Sequence, residues 1–287
     1  MEAIEYARPN TIDDAVRRLG AAGARVLAGG TDLLVQLRGG YTRPSVIVDI
    51  KGISELRRIE QTASGFRVGA AVAGAELGAH AAFAAQWPGV VEAFQLIGST
   101  QIQGRASLGG NLCNASPAAD SVPALIAAGA RCVIAGAGGT REAAVEDIVT
   151  APGKTTLAAG EFIVEFLFAT PPAKTGDAYL RFIPRTEMDI AVVGVGVCLT
   201  LDGSGVCTAA RVGLGAVAPR PLLVPAAGAA LVGTTVDDAA LATLAAAASA
   251  ACNPIDDKRG TIEYRTKVAG VLARRAAVAA LARARGQ

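Results

Sequence analysis

The chain has 287 residues, a length that fits one large domain or two to three smaller ones. Hydrophobic residues make up 52% of it and charged residues 18%, which excludes an intrinsically disordered chain, because disorder requires low hydrophobicity and high charge. The formal net charge of +2 is too balanced to indicate a nucleic-acid-binding surface, so no nucleic-acid partner is expected.

The N-terminus and the most apolar segment bear on cellular location. The first ten residues, MEAIEYARPN, contain acids and lack the apolar core of a secretory signal. The most apolar segment, 237–252, is mostly alanine and is shorter than the roughly 20 residues that a membrane span requires. We therefore expect a soluble, cytoplasmic protein without a membrane span.

The cysteines and the single histidine do not form a metal-binding pattern. The five cysteines stand at irregular spacing without a Cys-x-x-Cys pair, and His80 is the only histidine. Structural zinc and iron–sulfur sites need clustered thiolates or imidazoles, so no metal centre held by this chain is expected. The odd count and the spacing are typical of reduced cytosolic thiols.

The first half of the chain mixes predicted helices and strands without a strict βαβ rhythm. A helix is predicted over 11–19, where Thr11 is the cap and acidic residues occupy the first turn. Asp120 or Ser121 is the predicted cap of a helix over 121–130. The other predicted elements of this half are strands at 25–30, 45–50, 66–72 and 131–136 and helices at 31–38, 75–86 and 88–97.

The pattern changes after 169–178, a segment with prolines and a glycine that is predicted to be a linker. Apolar and small residues alternate over 191–217 on both sides of a DGSG turn, which predicts a long antiparallel hairpin. Helices at 237–251 and 261–285 follow, and this order indicates a separate small α+β domain. The last helix carries a basic stripe that we interpret as a solvated face, formed by Arg265, Lys267, Arg274, Arg275, Arg283 and Arg285.

Three nucleotide-binding or hydrolase motifs are incomplete in this chain. The PGKT segment at 152–155 lacks the earlier glycine of a P-loop, because that position is Ile148. The VGVG segment at 193–196 lacks the third glycine of a dinucleotide fingerprint, and the GSG segment at 203–205 has the wrong flanks for a nucleophile elbow. The sequence therefore argues against a Rossmann site and against nucleophilic hydrolysis.

Two glycine pairs each follow an apolar run and precede small polar residues, at 29–32 (GGTD) and 109–111 (GGN). A glycine pair lets the backbone adopt a positive φ and approach a ligand without a Cβ in the way. Successive N–H groups at such a turn bind anions, and a following helix adds its N-terminal N–H groups. The two pairs predict one ligand with two phosphates gripped from both sides, with two ordinary tight turns as the alternative.

Longer segments around these pairs resemble a known family. LAGGTDLL and IGSTQIQGRASLGGNLCNASPAADSVPAL closely resemble the FAD-binding subunit, or FAD domain, of the molybdenum hydroxylase family. That family includes xanthine dehydrogenases, the carbon monoxide dehydrogenase medium subunit and bacterial N-heterocycle hydroxylases. YLRFIPRTEMDIAVVGV resembles the family's Arg/Lys-rich strand that ends in Asp-Ile-Ala, and RVGLGAVAPRPLLV and DKRGTIEYRTKVAGVLARRA resemble its C-terminal flavoprotein domain, so the likeness covers essentially the whole chain.

The resemblance implies an α+β fold with an FAD-binding domain of two subdomains, of the vanillyl-alcohol-oxidase or PCMH type, over 1–172. A small C-terminal domain of the carbon monoxide dehydrogenase type, an antiparallel sheet plus helices, would follow over 177–287. FAD would place its diphosphate between the two glycine loops. The resemblance implies this set of cofactor-binding residues: Leu27, Ala28, Gly29, Gly30, Thr31, Asp32, Leu33, Ile97, Ser107, Leu108, Gly109, Gly110, Asn111, Cys113, Asp120, Ile163 and Arg181.

Roles within this set also follow from the resemblance. Backbone N–H groups of 27–33 and 107–111 would bind the diphosphate, with side chains of Thr31 and Asn111 added. Asp120 would form a hydrogen bond with the cofactor, and its alternative role is a plain helix cap. The apolar lining would come from Ile97 and Cys113, while Ile163 and Arg181 would contact FAD from later strands. A surface charge is the alternative for Arg181.

Two departures from the family pattern stand out. The cysteine-bearing insertion that holds an extra iron–sulfur cluster in the benzoyl-CoA reductase branch is absent from the sequence. Met188 stands where xanthine dehydrogenases tend to be acidic near the flavin ring. The resemblance therefore does not imply NAD as the electron acceptor.

The resemblance implies an electron-transfer flavoprotein subunit that needs no catalytic acid or base of its own. A large subunit would hold the molybdenum cofactor, and a small subunit with two [2Fe–2S] clusters would pass electrons to this FAD. The chain would deliver them to an external acceptor, which is oxygen, NAD, a quinone or another protein. The expected assembly is a dimer of heterotrimers.

Two other hypotheses stay open at this point. The chain could be a self-sufficient FAD-dependent oxidase or dehydrogenase acting on a small organic substrate. That version needs a base over the flavin ring, for which His80, Tyr6, Tyr41 and Tyr179 are candidates. The third hypothesis is a scaffold with a decayed flavin site, and the intact glycines, Asn111 and Asp120 weigh against it.

Overall fold

The computed structural model describes residues 4–286 and arranges them in three larger sheets, a small ribbon and covering helices. The strands are β1 (Glu5–Ala7), β2 (Arg25–Leu27), β3 (Val46–Asp49), β4 (Ile59–Thr62), β5 (Gly65–Gly69), β6 (Arg131–Gly136), β7 (Gly139–Ala144), β8 (Val149–Ala151), β9 (Lys154–Thr155), β10 (Phe162–Ala169), β11 (Thr175–Phe182), β12 (Val193–Leu201), β13 (Cys207–Gly215) and β14 (Leu222–Leu223). The helices are α1 (Ile12–Leu19), α2 (Leu33–Arg38), α3 (Gly74–Ala79), α4 (Ala81–Gln86), α5 (Pro88–Gln95), α6 (Thr100–Gln103), α7 (Leu108–Cys113), α8 (Ser121–Ala127), α9 (Pro225–Ala229), α10 (Asp238–Ala250) and α11 (Ile262–Ala284). Short 3-10 turns occupy Ile50–Gly52, Ser54–Arg57 and Val145–Asp147.

The first sheet is parallel and has the order β1–β3–β2. Helix α1 connects β1 to β2 and buries Ala15 and Leu19 in the same apolar cluster as Val48 of β3. The Thr11 hydroxyl accepts a hydrogen bond from the Asp14 N–H (3.2 Å), which satisfies one of the free donors of the first helical turn. The predicted helix at 11–19 is therefore confirmed, and β2 covers the first half of the segment 25–30, which ends in a turn at the glycine pair.

The second sheet has the order β4–β5–β10–β6–β7, and helices α3 to α8 pack around it. Its core contains phenylalanine rings in edge-to-face contact, with ring centroids 5.3 Å apart for Phe66 and Phe83 and 5.0 Å apart for Phe83 and Phe168. A fully buried side chain of this kind contributes about 1.5–3 kcal/mol to stability. These contacts fix β10, which carries the cavity-lining residues Phe162 and Ile163, and β5, which is followed by the cavity-lining Ala70.

The helix predicted over 75–86 is two helices, α3 and α4, separated at His80. The His80 Nδ1 atom accepts a hydrogen bond from the Phe83 N–H (3.2 Å), so the imidazole caps α4 instead of lying within one continuous helix. Histidine at this position ends one helix and begins the next because its ring nitrogen replaces a missing backbone acceptor.

The third sheet has the order β11–β12–β13–β14 and is covered by α9, α10 and α11. The hairpin predicted over 191–217 is confirmed, since β12 pairs with β13 from Gly194 opposite Gly215 to Leu201 opposite Cys207. The Asp202 carboxylate closes the hairpin turn by accepting hydrogen bonds from the Ser204 and Val206 N–H groups. The chain's cysteines all carry free thiols.

The connection between the two main parts is shorter than the predicted linker at 169–178. Strand β10 ends at Ala169 and β11 begins at Thr175, so half of the predicted linker is strand. Helix α8 packs directly on the hairpin of the third sheet. The approach is so close that a Cβ at Gly213 would stand 2.3 Å from the Pro123 carbonyl oxygen. The prolines and the glycine predicted a linker over all ten residues, but the antiparallel pairing of β11 with β12 places residues 175–178 in the third sheet.

The basic stripe on α11 is not uniformly solvated. Arg265 is only 3% exposed, and its guanidinium donates to the Val192 carbonyl oxygen (2.7 Å) and the Asp257 carboxylate (2.7 Å). Arg283 is half-buried and bonds Glu92 and the Asp177 carbonyl oxygen. The remaining basic residues of the stripe, Lys267, Arg274, Arg275 and Arg285, are exposed as predicted. The interpretation is therefore wrong for Arg265 and Arg283, because groups outside α11 cover both: the segments around Val192 and Asp257 cover Arg265, and α5 and β11 cover Arg283.

Candidate functional site

A cavity of about 440 Å³ lies beside the first sheet, between α2, α7 and the start of β10. Both predicted glycine pairs contribute to its wall. We define residues 28–32 as the first glycine segment and residues 107–111 as the second. The predicted cofactor-binding residues that line the cavity are Ala28, Gly29, Gly30, Thr31, Asp32, Leu33, Ile97, Ser107, Gly109, Gly110, Asn111, Cys113 and Ile163.

The first glycine segment is an irregular loop between β2 and α2. Gly30 has φ +81°, a left-handed conformation that strains residues with a side chain. Within residues 4–286, no acceptor receives a hydrogen bond from the backbone N–H groups of residues 29–32. Gly29, Gly30 and Thr31 are half-buried and Asp32 is exposed, so these N–H groups are open to the cavity and form a row of donors that suits an anionic ligand.

The second glycine segment is the first turn of a short helix, not a loop. Ser107 is the N-cap of α7, and its hydroxyl accepts a hydrogen bond from the Gly110 N–H (3.2 Å). The Gly109 N–H donates to the Ala70 carbonyl oxygen (3.2 Å), and the Asn111 N–H donates to the Ser107 carbonyl oxygen (2.9 Å). Unlike the first segment, this one therefore has most of its N–H groups bonded within the protein.

The two glycines of the second segment differ in how much space a side chain would have. A Cβ at Gly109 would stand 2.8 Å from the Ala70 carbonyl oxygen, so a side chain there would separate α7 from the turn after β5. A Cβ at Gly110 would meet only the Ser107 hydroxyl, at 3.2 Å. Gly110 thus leaves open space in the cavity, and the protein itself does not require a glycine there.

The first segment touches the residues on either side of the second. A Cβ at Gly29 would stand 1.9 Å from the Arg105 carbonyl oxygen, just ahead of the second segment. Two side chains that sequence reasoning missed reinforce this contact: the Asn114 amide donates to the Asp32 carboxylate (3.1 Å) and accepts from Gln36 (3.1 Å). The available signal was helical spacing, since Asn114 follows Asn111 by three residues and Gln36 follows Asp32 by four.

The hydrogen bonds and pKa shifts of three side chains in the cavity show what each can offer a ligand. The Asn111 side-chain oxygen accepts hydrogen bonds from the Ser121 N–H (3.3 Å) and hydroxyl (2.7 Å), which leaves its amide nitrogen as the group available to a ligand. The Cys113 side chain is exposed to the open cavity, and the surrounding protein raises the pKa of its thiol, so it lines the cavity as a neutral group. Burial also raises the pKa of Asp32 above its ordinary value.

Sequence reasoning also missed the far wall of the cavity, formed by small residues of 19–24 and by 157–161. The Arg141 guanidinium forms two hydrogen bonds with the Glu161 carboxylate (2.7 and 2.8 Å), and that carboxylate accepts from the Ala158 N–H (2.8 Å). These bonds lower the pKa of Glu161 to about 2. The wall is therefore a fixed turn, and nothing in its alanine- and glycine-rich sequence indicated it.

Some of the predicted residues lie outside the cavity lining. Leu27 immediately precedes the first segment, and Leu108 lies within the second but belongs to the core. Asp120 and Arg181 bond each other instead (Oδ2 to Nη1, 2.9 Å), and the Asp120 carboxylate also accepts from the Tyr179 hydroxyl (2.9 Å). The structure thus places this trio at the junction of α8 with the third sheet, so the predicted FAD contacts of Asp120 and Arg181 stay predictions.

The alternative roles for these two residues are wrong. The Asp120 side chain makes no capping hydrogen bond at α8, and the Arg181 side chain is only 3% exposed. Burial raises the pKa of Asp120 to about 6, while the charge of Arg181 and the hydrogen bonds from Tyr179 and Arg181 oppose that rise. The pair is a buried contact between the two main parts of the chain.

The residues around the cavity fit the phosphates of a dinucleotide. The unbonded N–H row, the left-handed Gly30 and the open space at Gly110 form a cradle that a Cβ would fill. The volume lies within the range of about 300–1,000 Å³ that is usual for small-molecule sites. In the described part of the chain, no group of three or more metal-ligating side chains is placed to hold a metal ion.

Comparison with known proteins identifies the class. The family model "FAD binding domain in molybdopterin dehydrogenase" matches residues 2–169, and "CO dehydrogenase flavoprotein C-terminal domain" matches residues 178–280. Together with the cavity, these matches define a two-part FAD-binding protein. More particularly, the chain belongs to the FAD-binding medium subunits of the molybdenum hydroxylase family, as its resemblance implied.

Individual relatives support this assignment over nearly the whole chain. The carbon monoxide dehydrogenase medium chain of Afipia carboxidovorans is 35% identical, over 99% of this chain and 98% of the relative. The xanthine dehydrogenase FAD-binding subunit of Escherichia coli O157:H7 is 33% identical, over 76% of this chain and 75% of the relative.

Solved structures show the same fold. The Cu,Mo-CO dehydrogenase in its cyanide-inactivated form contains a chain that superposes with a TM-score of 0.93 at 35% identity, covering 98% of both chains. Quinoline 2-oxidoreductase from Pseudomonas putida 86 gives a TM-score of 0.90 at 29% identity, again over 98% of both chains. The α+β fold predicted from the sequence is confirmed. Among the residues described, no helix is long and apolar enough to cross a bilayer.

Proposed function

We propose that this chain is the FAD-binding electron-transfer subunit of a molybdenum-containing hydroxylase or dehydrogenase. It takes electrons from [2Fe–2S] clusters of a partner subunit and passes them to an external acceptor. The observation that carries the proposal is the row of unbonded N–H groups in residues 29–32, which faces the same cavity as the open position at Gly110. A diphosphate supplies the acceptor atoms that those donors lack.

The residues of this chain bind and orient the cofactor. Bound FAD would exchange electrons singly or in pairs, which suits it to connect one-electron carriers with two-electron acceptors. The first glycine segment holds the diphosphate through main-chain donors, and the amide nitrogen of Asn111 adds a side-chain donor. Ile97 and Ile163 exclude water from the cavity wall, and Cys113 stays a neutral thiol beside them.

The wider assembly follows from the names of the relatives, which are medium chains or FAD subunits. We propose a large subunit with the molybdenum cofactor and a small subunit with two [2Fe–2S] clusters, assembled as a dimer of heterotrimers in the cytoplasm. The domain boundaries of the chain are proposed as 1–172 and 177–287. Substrate hydroxylation would occur on the large subunit.

The geometry does not favour a self-sufficient oxidase. No histidine or tyrosine is among the cavity-lining residues of the described chain. Of the candidate bases, the His80 Nδ1 atom caps α4, the Tyr179 hydroxyl is bonded to Asp120, and Tyr6 and Tyr41 are exposed elsewhere. A catalytic base would have to reach the flavin ring within about 3 Å or through one water.

The proposal is tested by purifying the full chain and its complex. The chain should be yellow and contain equimolar FAD after denaturation and chromatography. Co-expression with the products of neighbouring genes should give a three-subunit complex in which substrate oxidation reduces this FAD. A colourless chain that rejects added FAD would overturn the proposal, and turnover of an organic donor by the isolated chain would favour the self-sufficient oxidase.

A further inference from the structure

A lysine contacts the first glycine segment and is not among the residues that line the cavity. Lys51 belongs to the 3-10 turn that follows β3. Its Nζ atom donates to the Ala28 carbonyl oxygen (2.7 Å) and lies 2.7 Å from the Asp49 carboxylate. The Lys51 side chain is 23% exposed, so the protein holds most of it in one place.

Asp49 fixes that ammonium group. It is 5% exposed, its Oδ1 atom also accepts from the Lys51 N–H (3.0 Å), and its Oδ2 atom accepts from the Tyr6 hydroxyl (2.7 Å). Burial alone would raise the pKa of Asp49, but the hydrogen bonds from Lys51 and Tyr6 lower it below its ordinary value. The carboxylate therefore stays charged at neutral pH and keeps Lys51 aimed at Ala28.

The orientation of the Ala28 carbonyl sets the direction of the Gly29 N–H, the first unbonded donor of the segment. The carbonyl of Ala28 and the N–H of Gly29 belong to one planar, trans peptide unit, in which the two bonds point in opposite directions. When Lys51 holds the carbonyl oxygen on one side, the Gly29 N–H must point to the other. A cation at the oxygen also polarises the peptide and strengthens its N–H as a donor.

We infer that Lys51, held by Asp49 and Tyr6, is a positioning residue that orients the Ala28–Gly29 peptide for diphosphate binding. The inference rests on the proposed FAD site. Lys51 does not touch the ligand, and it acts on the phosphate-binding part of the cavity alone. Its loss therefore weakens ligands that carry the diphosphate and spares ligands that lack it.

The test compares Lys51→Met with Lys174→Met in the full chain after removal of FAD. Lys174 is a matched control, because its Nζ atom also donates to loop carbonyl oxygens, those of Asp202 and Gly203, at the remote hairpin turn. Titration calorimetry with FAD and ADP, and fluorescence quenching with riboflavin, measure the three affinities. Lys51→Met should weaken FAD and ADP about tenfold and riboflavin less than twofold, as expected for one charge-assisted hydrogen bond. Lys174→Met should bind all three ligands like the original chain.

A second variant keeps the test decisive if Lys51→Met does not fold. Tyr6→Phe removes only the hydroxyl that supports Asp49 and should weaken FAD and ADP about threefold. Unchanged FAD and ADP affinity in these variants, or an equal loss of riboflavin, overturns the role of Lys51. If the original chain itself binds no FAD, the proposed function fails first, and that outcome is visible before any variant is made.

Discussion

The two glycine segments share the same pair of letters and differ in structure. The first is a loop with a left-handed Gly30 and a row of N–H groups that no acceptor in the described chain satisfies. The second is the first turn of α7, where Ser107 and Ala70 accept the hydrogen bonds of Gly110 and Gly109. The first segment thus provides donors, and the second provides close packing and open space.

This difference shows that the same glycine pair can serve different structural roles. Gly29 and Gly109 are glycines because backbone from another element occupies the position of a Cβ. Gly30 is a glycine because its φ is positive. At Gly110 a Cβ would have almost no contact with the protein, so the glycine there leaves space open in the cavity. A substitution at Gly110 alone is expected to impair ligand binding without impairing folding, which makes the comparison testable.

Gly29→Ala should have the largest effect. Its Cβ would stand 1.9 Å from the Arg105 carbonyl oxygen, so the two segments would have to move apart. We expect loss of FAD and a fall of about 3 kcal/mol in the free energy of unfolding, measured by urea denaturation. Gly104→Ala is the control, because the nearest atom to its Cβ is 3.6 Å away. Equal stability of the two variants would contradict the contact between the segments.

Gly110→Val should abolish FAD binding and leave the fold intact. The new side chain meets only the Ser107 hydroxyl at its Cβ and extends into the cavity that the phosphates would occupy. We expect less than about one-tenth of the original flavin content, with a free energy of unfolding of the apo chain within about 1 kcal/mol. Full FAD content in a folded Gly110→Val chain would show that the ligand does not pass this segment.

Asn114→Ala should weaken FAD binding moderately. The substitution removes the bridge from Asp32 to Gln36 that ties the first segment to α7. Loss of such neutral and charged hydrogen bonds costs about 1 kcal/mol, so the Kd of FAD should rise about fivefold in calorimetry. The exposed Asn253→Ala is a control remote from the cavity. A wild-type Kd in Asn114→Ala would show that the first segment is rigid without the bridge.

Ser107→Ala should have the smallest effect on FAD. It removes the cap of α7, which lowers the free energy of unfolding by about 1 kcal/mol. The freed Gly110 N–H remains beside the cavity, so the Kd of FAD should change by less than about twofold. Thr11→Ala, which removes the cap of α1, should show a similar loss of stability. A large rise in the Kd for Ser107→Ala alone would give the second segment a larger share of the binding than the structure indicates.

Much of the local structure follows from short stretches of sequence. The Thr11 cap, the hairpin around Asp202 and the start of α5 at Pro88 each depend on residues within one or two turns of each other. Local rules failed where a distant group intervened. The imidazole of His80 interrupts a helix pattern by capping α4, and the acidic partner of Arg265 lies in a loop that the helix pattern does not reveal.

The candidate site divides in the same way. The glycine pairs can be recognised in the sequence, because glycine adopts a positive φ without strain and lets another backbone segment come close. Asn111 can be recognised as a small polar residue directly after the second pair. Lys51 carries no such signal and Asn114 carries only its helical spacing, since their roles depend on which groups the fold brings within hydrogen-bond distance of them.

By itself, the sequence predicted that two glycine pairs, each followed by small polar residues, bind one ligand with two phosphates, and its resemblance assigned the family. Only the tertiary structure decided that the pairs meet at one cavity, that the first supplies free donors and the second does not, and that Asp120 pairs with Arg181. The physical reason is range: a backbone conformation is set by neighbouring residues, whereas a hydrogen-bond partner is set by the packing of segments far apart in the chain.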